Sequence, residues 1–295
     1  LLSGRDFETK EYRDDIVAES YQKLDAGIVQ FINQYNFTQF VMAIKGAGFV
    51  SSKQLNSQMT LDFAYTLYLM LRSDPTIPNE QIKRHVQKWF VLSTLTSRYI
   101  GSPETQMDRD MRNIEEKGFL NFKTEVEAST LSETFWTVTL PQNLEASSVN
   151  SPAFNTFLAA QINLNCNSLL MKGTKISDLI TISGDVHHIF PRNYLKKNGI
   201  DNKTKYNQVA NYIYLDTQVN KAIGDDPPFA YFSKVREQCR TKAITLGNIS
   251  DEETLYCNLE ENSIPHHIIS MDITDYESFL QELSLIHISE PTRPY

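Results

Sequence analysis

The stretch Leu61–Leu71 (LDFAYTLYLML) constrains the fold more than any other part of this chain. It is apolar on nearly every side, and such a helix is stable only when other helices enclose it. Candidates for that enclosure lie before and after it. Val17, Tyr21, Leu24, Ile28 and Phe31 recur at the spacing of one buried helical stripe. Ile82, Val86, Trp89, Leu92, Leu95 and Tyr99 repeat the pattern. Ser102-Pro103-Glu104 then supplies an N-cap, a first-turn proline and an early acid for a further helix, which Gly118 closes. A helical bundle is expected over residues 1–140.

The periodicity weakens over 121–149. There Phe135-Trp136-Thr137-Val138-Thr139-Leu140 reads as a short β-prone run closed by Pro141, the expected seam between two domains. Ser151-Pro152 restarts a helix, and Ile176–Ile182 leads into a histidine pair. With 295 residues, 41% of them hydrophobic, the chain has room for a sizeable core and about two domains. The second is expected over 141–282. Leu283–Tyr295 (LSLIHISEPTRPY) reads as a translated sequencing adaptor and is left out of fold reasoning. The chain opens without methionine inside what reads as a structured segment, so an upstream portion is expected.

No apolar run approaches the roughly 20 residues that cross a bilayer, and the first residues lack the layout of a signal peptide. No membrane association and a cytoplasmic location are expected. Cys166, Cys239 and Cys257 are far apart and form no CxxC pair, which argues against a disulfide framework and against a cysteine-based zinc site. The net charge of -8 speaks against a general nucleic-acid coat. Between His187 and Lys221, however, six basic residues (Arg192, Lys196, Lys197, Lys203, Lys205, Lys221) face only two acidic ones, Asp201 and Asp216.

That basic segment carries the candidate chemistry. It contains Gly184-Asp185-Val186-His187-His188-Ile189-Phe190-Pro191, then Asn207-Gln208-Val209-Ala210-Asn211-Tyr212-Ile213-Tyr214-Leu215-Asp216, then Gln218-Val219-Asn220-Lys221. The apolar runs predict two strands, and Asp216-Thr217 predicts the cap of a short helix carrying Asn220. Phosphodiester hydrolysis needs a base for water, a Lewis acid for the charge on the phosphorane-like transition state, and a means of holding the leaving oxygen. Neutral imidazole and an asparagine amide oxygen are both competent ligands for a sparsely held divalent ion.

The string DVHHIFP, followed by NQVANYIYLD and VNKAIGDDPP, resembles the HNH endonuclease family, whose ββα-metal finger carries its base beside a metal ligand on the first strand. The surrounding text, from SGRDFE and FVMAIKGAGF through SRYIGSPE and FWTVTLP to YNQVANYIYL, resembles the C-terminal half of GmrSD-type (type IV) restriction endonucleases, a group linked to defence against phage DNA. The fold class implied is mainly α with a small embedded ββα-metal finger: a helical bundle followed by an α+β nuclease domain. The resemblance implies His188 as general base, His187 as the adjacent metal ligand, Asn220 as the ligand from the helix, and Asn211 as the brace of the loop holding the base. It also implies DNA as substrate and an upstream nucleotide-binding domain as partner. Mg²⁺ or Mn²⁺ is the expected metal, and an imidazole at position 187, where many relatives carry aspartate, leaves Ni²⁺ or Zn²⁺ open.

Asp185 lies two residues before His187, on the same side of an extended segment, and is expected to orient it. Arg192, Lys196, Lys197 and Lys221 are the expected DNA contacts. Adjacent residues of a regular strand face opposite sides, so His187 and His188 can serve one centre only if the strand bends or ends there. The second pair, His266-His267, has no following strand and helix and reads as an edge strand or loop. Trp89 and Trp136 read as core, and Asp225-Asp226-Pro227-Pro228 as a helix break with Phe229 and Tyr231 packed beneath. The rival reading is a DNA-binding or regulatory module that keeps the finger as a scaffold without activity.

Overall fold

A computed structural model describes residues 11–145, 148–182 and 184–289. The string SGRDFE (3–8) and the tail beyond Ser289 lie outside the described residues. Within them the chain is mainly helical, with one two-stranded sheet. The first half is six helices: α1 (Asp14–Phe31), α2 (Gln34–Gly46), α3 (Gln58–Ser73), α4 (Asn79–Leu95), α5 (Pro103–Lys117) and α6 (Phe119–Thr130). The apolar run Leu61–Leu71 forms most of α3, which packs against α2 and α4. Phe63, Leu67 and Leu71 bury there with Val86, Trp89 and Phe90 of α4, so the stripe read from Ile82 to Tyr99 is a core stripe. Gly118, at φ +76°, closes α5 as expected and α6 follows at once.

Arg98 and Tyr99 fasten α5 to this core. The Arg98 guanidinium makes a two-pronged ion pair with Asp110 of α5 (Nε–Oδ2 2.7 Å, Nη2–Oδ1 2.6 Å). The Tyr99 hydroxyl donates to the same carboxylate at 2.7 Å and accepts from Trp89 Nε1 at 3.1 Å. A buried carboxylate is tolerable because every prong of it is answered.

Helix α1 forms where its periodicity predicts, but its stripe is not buried. Tyr21 is 55% exposed, Ile28 47% and Phe31 53%. The reason lies in the neighbours: α3 is already enclosed, and α1 rests against α2 and α3 through few contacts, with Phe31 touching Tyr65 at a ring distance of 5.0 Å.

The expected β-prone seam is helical. Phe135–Thr139 is a π-helical turn that continues into α7 (Leu140–Leu144). Pro141 has no N–H to give and its ring crowds the preceding turn, and a wider turn relieves both problems. Phe135, Trp136, Leu140 and Leu144 bury in a core shared with Leu95 of α4, with Phe154 and Phe157 of α8 (Pro152–Asn163), and with Tyr212 and Tyr214. Burying each such side chain is worth about 1.5–3 kcal/mol. That outweighs a strand propensity spanning about 1 kcal/mol. The segment is thus a packed layer that joins the bundle to the second half of the chain. Gly48 marks how closely α8 approaches the bundle: its φ is +91°, and a Cβ there would sit 1.9 Å from the Ala159 carbonyl oxygen.

That second half comprises α9 (Ile176–Ile182), β1 (Gly184–His188), α10 (Arg192–Lys197), α11 (Lys203–Tyr206), β2 (Tyr212–Asp216), α12 (Thr217–Ile223), α13 (Pro228–Thr241), α14 (Glu252–Glu261) and α15 (Tyr276–Ser289). The strands are antiparallel, Gly184 opposite Asp216 and His188 opposite Tyr212, and α12 lies against both. Along β2, Ile213 and Leu215 enter a core with Phe190, Tyr231, Phe232 and Phe279, while Tyr212 and Tyr214 enter the shared core on the other face. Burial on both faces explains why β2 reads as a continuous apolar run.

Two smaller expectations are adjusted. His266–Ser270 is a short 3-10 helix rather than a strand, with His266 beside Glu260 (3.0 Å) and His267 beside Glu282 (2.8 Å) at the surface. Tyr231 packs beneath the helix break, but Phe229 is exposed, because residues two apart on a helix face different ways. Leu283, the first residue of the stretch read as adaptor, is 1% exposed in the core, and α15 runs on to Ser289. Cys166 and Cys239 are buried free thiols and Cys257 an exposed one. No helix among the described residues is long and apolar enough to cross a membrane.

Candidate functional site

Strand β1, strand β2 and helix α12 follow one another around the histidine pair. The turn into α12 is set by Asp216, whose carboxylate accepts from the N–H groups of Gln218 (2.8 Å) and Val219 (3.1 Å). This cap starts the helix directly off β2 and brings Asn220, on its first full turn, back over β1. There His187 Nδ1 donates to Asn220 Oδ1 at 2.6 Å. An amide oxygen only accepts, so this contact places the proton on Nδ1. His187 is 4% exposed, and its Nε2 is buried without a hydrogen-bond partner among the described residues. Burial pushes the His187 pKa down to about 4, against the Asn220 contact, which raises it, and with help from neighbouring His188. His187 is therefore neutral at pH 7.

His188 is the last residue of β1, opposite Tyr212, and His187 before it stands opposite Ile213. Its Nε2 donates to Asn207 Oδ1 at 2.8 Å, and its ring stands edge-on to Tyr212 at 4.9 Å. Burial lowers its pKa too; the Asn207 contact opposes the shift and the charge of Arg192 adds to it. Both imidazoles are thus available as lone-pair donors at neutral pH, the state a base or a ligand requires.

Asn211 secures the chain just past the base. Its Oδ1 accepts from the Phe190 N–H at 2.8 Å and its Nδ2 donates to the Phe190 carbonyl at 3.1 Å, all within the core. The Ile189 N–H donates to the Asn211 carbonyl at 2.9 Å, and the Tyr231 hydroxyl to the Ile189 carbonyl at 3.0 Å. Phe190 itself is wedged against Tyr276 and Phe279. The backbone leaving His188 has little freedom left.

No protein-family model, curated protein or solved structure matches the chain.

Asp185 sits elsewhere than expected. It is exposed, and its carboxylate accepts from the Thr217 hydroxyl at 3.1 Å instead of holding His187. The first residue of α12 is thereby tied to β1, so Asp185 bears on Asn220 through the helix. Of the four expected DNA contacts, Arg192 and Lys221 are exposed, Lys196 lies over the Tyr206 ring at 4.9 Å, and Lys197 pairs with Asp225 at 3.1 Å. Lys197 is therefore partly neutralised.

Sequence reasoning assigns Asn207 no role. It lies four positions before Asn211 in the YNQVAN string, and its polarity beside an apolar run is the available signal. Nothing local points it at His188, because the contact depends on the chain folding between α11 and β2.

The donor set can be tested against a divalent ion. No group of three or more histidine, cysteine, aspartate or glutamate side chains clusters among the described residues. The candidate donors are instead one imidazole and one amide oxygen, 2.6 Å apart and able to share a cation in place of a proton. The partnerless Nε2 means that the ion-free ring carries an unsatisfied polar atom, at a cost of about 1–3 kcal/mol. The Nδ1–Oδ1 pair fits a divalent ion whose remaining positions are left to water and phosphate oxygens, and the ring proton would then sit on Nε2, on the far side of the ring. At the start of β1, a cleft of about 680 Å³ runs along Gly184, Asp185 and Val186, walled by Lys53, Asn56 and Asn155. Val186 and His188 are two apart in β1, so the cleft opens on the same face of the sheet as His188.

Proposed function

We propose that this chain is the nuclease part of an HNH-type, metal-dependent endonuclease that hydrolyses DNA phosphodiesters, in the restriction of foreign or modified DNA. The observation that carries the reading is the convergence of His187 and Asn220 at 2.6 Å next to His188 at the strand end, with Asn211 bracing the turn beyond it. Two strands and a helix in this order, around these four residues, are what the ββα-metal finger needs.

In this reading His188, neutral at pH 7, takes the proton from the attacking water. His187 and Asn220 would hold the divalent ion. Bound there, it supplies Lewis-acid stabilisation of the charge developing on the phosphate and on the leaving 3′ oxygen. Asn211 keeps the Ile189–Phe190 turn rigid so that His188 does not drift. Arg192 and Lys221 bind backbone phosphates, Lys196 assists, and Lys197 joins only by leaving Asp225. DNA approaches along the face shared by His188 and the Gly184–Val186 cleft, where Lys53 adds one more cation.

The test is a nicking assay on plain and glucosylated supercoiled DNA with Mg²⁺, Mn²⁺, Ni²⁺ or Zn²⁺, and with chelator as control. The wild-type protein is expected to nick in at least one metal and His188→Ala in none, with metal binding kept. His187→Ala should weaken metal affinity measured by calorimetry. A His188→Ala protein that cleaves as fast as wild type overturns the reading.

A further inference from the structure

We infer that Asn207 is a positioning residue that fixes the tautomer and the orientation of His188, so that Nδ1 carries the lone pair that acts on water. The inference rests on the proposed role of His188 as base, and it deepens that role.

A general base needs its lone pair on a defined atom and its ring in a defined orientation. A neutral imidazole has two tautomers, and which nitrogen holds the proton is set by the hydrogen bond the other atoms make. Two contacts constrain this ring. The Tyr212 ring, edge-on at 4.9 Å, restricts its tilt but does not discriminate between the nitrogens. Asn207 Oδ1, at 2.8 Å from Nε2, does discriminate, because an amide oxygen cannot donate. The proton is thereby assigned to Nε2 and the lone pair to Nδ1.

The scaffold around Asn207 supports such a role. Asn207 follows the short helix α11, whose cap is Asn202, and precedes the 3-10 turn Val209–Asn211 that delivers the bracing Asn211. One short segment therefore carries both restraints on the base. Asn211 fixes the backbone after His188 and Asn207 fixes the side chain of His188. The turn between them is anchored by buried Tyr206, Val209 and Ala210, so Asn207 is held from both sides. His187 shows the contrast: its Nδ1 is the protonated nitrogen, through Asn220, so the adjacent rings are set in opposite tautomers by two different asparagines.

The orientation of the amide is the point of risk. Turned by half a rotation, Asn207 would present its NH₂ group to Nε2, and the proton would move to Nδ1. ¹⁵N chemical shifts of the histidine side chains in the metal-free wild-type protein distinguish the two directly. The expected result is Nε2–H for His188 and Nδ1–H for His187. Asn207→Asp keeps an acceptor and should keep that tautomer; Asn207→Ala should give the mixture of an unconstrained ring. In the nicking assay Asn207→Ala is expected to lower kcat by roughly 10- to 100-fold. KM for DNA and calorimetric metal affinity should stay within about threefold, and Asn207→Asp should recover much of the loss.

An Nδ1–H tautomer at His188 in the wild type overturns the inference. So does an Asn207→Ala protein with an unchanged spectrum and unchanged kcat. A wild-type protein that shows the Nε2–H tautomer, lost in Asn207→Ala, but does not cleave DNA under any metal refutes the nuclease reading and leaves the positioning contact standing.

Discussion

Removing Asn211 tests how firmly the candidate site is held. In Asn211→Ala two buried backbone groups lose their partners at once: the Phe190 N–H, bonded at 2.8 Å, and the Phe190 carbonyl, bonded at 3.1 Å. Asn211 and Phe190 are both 0% exposed, so water cannot replace either bond without opening the core. Each orphaned group costs about 1–3 kcal/mol, which places the total at about 2–6 kcal/mol. Urea unfolding of the metal-free protein, monitored by circular dichroism, measures it as a lower midpoint at unchanged slope. Asn220→Ala is the internal control. Asn220 is half-buried on the short helix α12 and its loss orphans one buried group, the His187 Nδ1–H, so it should cost about 1–3 kcal/mol, half the Asn211→Ala figure. An Asn211→Ala midpoint matching that of Asn220→Ala would refute the bracing role, since it would mean that the turn after His188 stands without the side chain.

Two further outcomes rest on the same geometry. His187 has its pKa depressed from 6.5 to about 4, so protonation favours the unfolded chain. Its contribution to stability is full above pH 6.5 and is lost between 6.5 and 4, amounting to about 3 kcal/mol; denaturant titrations of metal-free wild type should therefore fall more steeply across that window than those of His187→Asn, and parallel curves would contradict the burial argument. In the bundle, Asp110→Ala strands the Arg98 guanidinium without its two-pronged partner and should cost about 3–5 kcal/mol, whereas exchange of an exposed pair such as Arg112–Asp108 should stay below about 1 kcal/mol, both read from unfolding midpoints.

Much of the local structure was legible in the residues. Asp216 capping α12, Ser151 capping α8 and Gly118 ending α5 are decided by neighbours within three positions, and the helical stripe from Ile82 to Leu95 by spacing alone, with Tyr99 buried just past the helix end. The order of strand, strand and helix around His187, His188, Asn211 and Asn220 belongs with these, because apolar runs and a cap are short-range signals.

Other features depended on what each segment meets. The stripe on α1 has the spacing of a buried face, yet it stays exposed because burial needs a second surface and α3 had already taken its own. Phe135–Leu140 has strand-forming residues but coils, because a core shared by both halves of the chain takes up Phe135, Trp136 and Leu140 from one helical face. Asp185 shares a face with His187 in the sequence pattern, yet bonds Thr217, because α12 brings that hydroxyl within 3.1 Å. Asn207 reaches His188 across 19 steps of chain for the same reason. Periodicity and capping are encoded within a turn or two, whereas which side chain answers a buried imidazole is settled only when distant segments pack, and the roles of the histidine pair depend on that packing.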